Sequence, residues 1–148
     1  MRVYDMICAA LGVLGSGVAA LFGGWDTALV TLVWFMGIDY LTGMLVAGVF
    51  HKSTKTPGGG LESRAGWKGL IRKGVTLLVV LVAARLDLLV GDRSFIRDAV
   101  VIAFIVNETM SIIENLGLMG IPVPKVLTRA IEVLKEKSGE EEEPHDAE

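Results

Sequence analysis

Long apolar runs alternate with short polar ones along most of the chain. Residues 6–24, 27–50, 70–90 and 95–116 are each long enough, or nearly so, for a helix rising 1.5 Å per residue to cross a hydrocarbon core roughly 30 Å thick. The pattern predicts an all-α integral membrane protein with about four transmembrane helices. The fourth run is the least uniform, because Asn107, Glu108, Ser111, Glu114 and Asn115 interrupt its second half. At about 100° per residue these five side chains fall within an arc of roughly 120°, so the helix has one polar face. An acidic group near mid-membrane costs on the order of 2.5 to 3.5 kcal/mol, and such a face must meet protein or water. It can seal a helix bundle or line an aqueous space between assembled copies.

The other runs carry their own marks. In the first, Gly12, Ser16, Ala20 and Gly24 recur every four positions, a small-residue seam that lets a second helix approach closely. Its partner is either another span of the same chain or a second protomer. A cleaved signal peptide is a rival reading of this run; the weakly charged start and the next run beginning at residue 27 oppose it. The second run places Asp39 near its middle, with Thr42 and Gly43 on the same side, so the carboxyl must be protonated, paired or wet. Tyr4 and Trp25 suit opposite interfaces.

Residues 51–69 are polar and Gly58, Gly59 and Gly60 follow Pro57, which predicts a flexible connecting loop. Lys52, Lys55, Arg64, Lys68, Arg72 and Lys73 make the loop and its exit basic, a membrane-surface set that the positive-inside rule places in the cytoplasm, against anionic lipid. The glycines lack the spacing of a phosphate loop, and topology accounts for the charge without nucleic acid. Four spans put both termini on the same side as this loop, N-in and C-in, with Arg85, Arg93 and Arg97 outside; a three-span form is the alternative. After the fourth run Gly117, Gly120, Pro122 and Pro124 stop the helix. Residues 125–137 form an amphipathic segment expected along the cytoplasmic surface, with Val126, Leu127, Ala130, Ile131 and Leu134 on its apolar side. Residues 138–148 read as a disordered acidic tail.

Composition agrees with the pattern: 52% of residues are hydrophobic and the mean hydropathy is +0.56, high for a soluble domain of this size. The net charge of −3 hides an acidic tail and a basic middle. A single cysteine, Cys8, rules out an internal disulfide. Catalysis is not expected: His51 and His145 lie in the loop and the tail, away from Ser16, and no metal-ligand spacing occurs, so no cofactor or metal is implied.

Between Asp39 and Leu134 the chain resembles the phage-lysis and toxin-secretion holins. The resemblance rests on Asp39 with Thr42 and Gly43, on Lys68, Gly69, Leu70, Arg72 and Lys73, and on Asn107, Glu108, Ser111, Ile112, Glu114 and Asn115. The sequence from Gly117 to Pro124 and the amphipathic segment after it also fit. It implies a non-enzymatic protein of the bacterial cytoplasmic membrane that forms homo-oligomers. At a set time these open lesions that release an endolysin, a functional partner without stable contact, or a toxin. In dilute protomers the polar face of the fourth run would be satisfied inside the bundle by Asp39, Arg85 or other groups; in dense assemblies it could turn towards protomers or water. Met6 offers a second start, as in dual-start holins. An antiholin and a non-lytic small channel or scaffold subunit are the alternatives, since either could use the same polar face.

Overall fold

The computed structural model describes residues 2–91 and 94–138; the acidic tail lies outside the described residues, apart from the backbone of Ser138 at its start. Five helices follow one another: α1 (Val3–Leu21), α2 (Thr27–Gly48), α3 (Ser63–Val90), α4 (Phe95–Leu118) and α5 (Lys125–Ser138). No strand occurs among the described residues. Three of the helices, α1, α2 and α4, are long and apolar enough to cross a membrane. Helix α3 is the longest, at 28 residues, but Arg72, Lys73, Arg85 and Asp87 break its apolar character.

Helix boundaries follow local chemistry. Left-handed Gly23 and Gly24, at φ 79° and 103°, end α1 and turn the chain within a few residues. Asp26 then opens α2, its carboxylate accepting the Leu29 N–H at 2.9 Å. Helix α3 begins at Ser63 rather than at residue 70, because no proline interrupts 63–69 and its polar turn extends the helix beyond the apolar run. Helix α4 is capped from outside its own segment. Ser94 at its start makes no side-chain cap, and Asp87 of α3 instead accepts the Ile96 and Arg97 N–H groups at 2.9 and 2.8 Å. At its other end Gly120 is left-handed and the Ile121 N–H returns to the Leu116 carbonyl at 2.9 Å.

Helix α4 is the axis of the fold, packing against α2, α3 and α5, while α2 and α3 meet each other only slightly. Leu29, Leu32 and Met36 of α2, Val80 of α3, and Val101 and Ile105 of α4 form the apolar core. Helix α1 contributes no buried residue, and among the described helices α3 is the one it packs against.

Two expectations change. The connection between α2 and α3 is folded on itself: Ser53 N–H donates to the Gly59 carbonyl at 2.9 Å, and the buried Thr56 hydroxyl donates to the Gly60 carbonyl at 2.9 Å. A Cβ at Gly59 would lie 2.3 Å from the His51 carbonyl oxygen, so only glycine fits there. Helix α5 does not stand apart from the bundle. The reversal at Gly120 turns it back along α4, Ile131 is buried, and Leu134 packs against the cluster containing Val101 and Ile105.

Replacing the cap should show in stability. Asp87→Ala strips two N–H groups of their acceptor and is expected to cost about 1 to 2 kcal/mol in detergent-micelle unfolding. Asp87→Asn, which keeps one oxygen acceptor, is expected to lose less.

Candidate functional site: the polar interior of the bundle

Two polar clusters sit at different depths along α4, with the apolar core between them. The first gathers around Lys73, in the third turn of α3. Its ammonium lies 2.7 Å from Asp39 Oδ2 of α2 and 2.5 Å from Glu108 Oε2 of α4, so one cation ties three helices. Asn115, two turns further along α4, extends the network: its amide donates to Asp39 Oδ1 at 3.1 Å and to the Thr42 hydroxyl at 2.9 Å. Thr42 in turn donates to the Asp39 carbonyl at 3.1 Å. Gly43 faces the Asn115 amide, and a Cβ there would sit 3.8 Å from it, in ordinary van der Waals contact. Asp39, Glu108 and Asn115 are all buried, and pairing with hydrogen bonding is what makes buried charge tolerable.

The second cluster lies roughly 16 Å away along α4, eleven residues at 1.5 Å each. Arg97 is fully buried. Its Nη1 donates to Asp26 Oδ2 at 2.6 Å and to Asp98 Oδ1 at 2.9 Å, while Nε and Nη2 donate to the Phe22 and Gly24 carbonyls at 2.5 and 3.3 Å. The guanidinium fork thereby clasps the turn between α1 and α2 to the start of α4. Its hydrogen bond holds the Asp26 carboxyl below its ordinary value of 3.8.

A cavity of about 80 Å³ opens beside the first cluster, between α2, the folded loop and the start of α3. Asp39, Lys73 and Asn115 are among its lining residues, with Tyr40, Lys55, Thr56 and Glu62. Tyr40 lies against α3 where Gly66 and Gly69 leave space.

Of the polar residues singled out from sequence, Asp39, Glu108 and Asn115 come together and Ser111 is half-buried nearby, whereas Asn107 and Glu114 stay exposed on α4. Among the basic residues, Lys52, Lys55, Arg64, Lys68 and Arg72 are exposed, but Lys73 is drawn inside. Arg85 takes no part in either cluster's recorded ion pairs; Lys73 is the counter-ion. Gly12, Ser16 and Ala20 of the small-residue seam are exposed, and nothing lies within 4 Å of a Cβ built at Gly12 or Gly24. Among the described residues no side chain packs on the seam at Gly12, Ser16 or Ala20, and at its end only the Gly24 carbonyl is taken up, by Arg97. Sequence reasoning missed the roles of Lys73, Asp87 and Arg97. The available signal was charge balance, since acids at membrane depth on two helices call for a base on a third.

A model of the bacteriophage holin family matches residues 16–136. An uncharacterized protein of Listeria innocua is 39% identical over 95% of this chain and 96% of its own length. One from Listeria monocytogenes is 39% identical over 91% and 92%. A protein of Bacillus phage phi105 described as a probable holin is 33% identical over 74% of this chain and 75% of its own. No solved structure matches the chain.

Two measurements test the clusters. Because Asp26 has a lowered value in the folded state, its pairing with Arg97 stabilises the fold at neutral pH. That contribution should fade as pH falls below 3.8 through the lowered value, and Asp26→Asn should flatten this part of the stability profile. Asn115→Ala removes the amide donor from Asp39 and is expected to cost about 1 to 3 kcal/mol in the same unfolding assay.

Proposed function

Because the chain belongs to the bacteriophage holin family, we propose that it acts as a holin. It accumulates in the bacterial cytoplasmic membrane, assembles with copies of itself, and opens timed lesions through which an endolysin leaves the cell. The family assignment covers most of the chain, and one structural observation carries the assembly step. Helix α1 is long and apolar enough to span, yet none of its residues is buried and its small-residue seam is open. A helix that adds nothing to the interior of its own protomer is free to pack against another, and small residues allow that contact to be close. The exposed Asn107 and Glu114 on α4 supply polar groups that assembly can cover or wet.

The topology we infer has four spans, with α3 as the third. Its charges make it less apolar than α1, α2 and α4, but Lys73 is neutralised by Asp39 and Glu108, and Asp87 is taken up by the start of α4. Four spans return the end of α4 to the side of the basic loop and the start of α1, and the distribution of Lys and Arg favours the cytoplasm for that side. The role is non-enzymatic, in keeping with the holin family.

Inducible expression in a bacterium with and without a cytosolic endolysin lacking a signal sequence tests the reading. Abrupt depolarisation after a delay is expected, with lysis only when endolysin is present; continued growth at full membrane potential and high protein level would contradict it. Replacing Glu108 or Asn115 by Leu is expected to shift the time of onset, because each changes the balance between the paired interior and the assembled form.

A further inference from the structure

Helix α5 is folded back on the bundle instead of standing away from it. It lies against α4, which is long and apolar enough to span, and Leu134 reaches the core cluster that includes Val101 and Ile105, in the first half of α4. Since Lys125 begins α5 just beyond the far end of α4, the helix runs back towards the bilayer interior, a length of roughly 21 Å for 14 residues.

Its faces divide sharply. At about 100° per residue, Lys125, Thr128, Arg129, Glu132, Lys135 and Glu136 fall within an arc of roughly 120°, and Ile131 and Leu134 lie outside it. Lys125, Thr128, Arg129, Glu132 and Glu136 are exposed while Ile131 is buried. The remaining open side carries Val126, 76% exposed, and Val133, 51% exposed, with Lys137 only at its last turn, a surface that over most of its length suits lipid or a neighbouring helix. Charged side chains at membrane depth each cost on the order of 2.5 to 3.5 kcal/mol if they meet hydrocarbon, and this face carries several.

We propose that α5 is a re-entrant helix whose charged face lines the aqueous path formed by assembled copies. This rests on the holin reading and adds to it the wall of the lesion. Lys125 and Arg129 stand with Glu132 and Glu136 on the exposed part of that face, so a narrow path lined by it presents both signs of charge to a passing ion, and the balance between them sets its preference.

The test uses the full chain in planar bilayers, with Cys8→Ala removing the exposed native thiol. Into this parent are placed Thr128→Cys or Glu136→Cys on the charged face and Val133→Cys on the apolar face. The probe is a membrane-impermeant cationic methanethiosulfonate reagent. Modification at 128 and 136 is expected to reduce the conductance with reagent added to either chamber, and modification at 133 to leave it unchanged. Arg129→Glu is expected to move the reversal potential in a salt gradient towards cation preference. A parent that conducts, with currents indifferent to reagent at 128 and 136 and an unmoved reversal potential, overturns the placement of α5 while leaving the holin reading intact. A parent that inserts and never conducts overturns both.

Discussion

The structure depends on one constraint: a charge carried to membrane depth must find its counter-charge within the protein. Lys73 meets it by standing between Asp39 and Glu108. Without the two carboxylates, the ammonium would have to snorkel back to the interface; without the ammonium, two acids would share a low-dielectric interior. Because the three groups come from α2, α3 and α4, satisfying the charges also fixes the relative depth and rotation of those helices. Asn115 and Thr42 complete the arrangement by occupying the other oxygen and the backbone carbonyl of Asp39.

The second cluster applies the same rule to helix ends. Arg97 takes up carbonyls that α1 leaves unsatisfied at its close, and Asp87 accepts N–H groups that α4 leaves unsatisfied at its start. The two clusters leave an apolar layer of Leu29, Leu32, Met36, Val80, Val101 and Ile105 between them. The interior is closed, and the surfaces left open lie elsewhere, on α1, on the exposed flank of α4 and on α5.

Much of this was legible as periodicity. The helices on apolar runs, the polar arc of α4, the importance of Asp39 and the stop after Gly117 follow from spacing and from what lipid tolerates. Pairing between distant helices was not. Lys73 sits at the mouth of a basic loop, and its neighbours Arg72 and Lys68 do stay exposed, so composition assigned all three to the surface. Only the rotation of α3 against α2 and α4 separates Lys73 from them. Asp87 was obscure for a similar reason: a helix is normally capped by its own flanking residues, and here the acceptor comes from the preceding helix. The position of α5 depends on the direction of the turn at Gly120, which amphipathicity alone does not encode.

The most direct test of this account is the stability of the bundle in lipid nanodiscs when the central cation is removed with and without its partners. Lys73→Met alone is expected to destabilise by about 3 to 5 kcal/mol, as an ion pair broken on one side does. Combining it with Asp39→Asn and Glu108→Gln is expected to restore most of the loss. A Lys73→Met chain as stable as the parent, or a triple variant no better than the single, would contradict the claim that this buried pairing organises the fold.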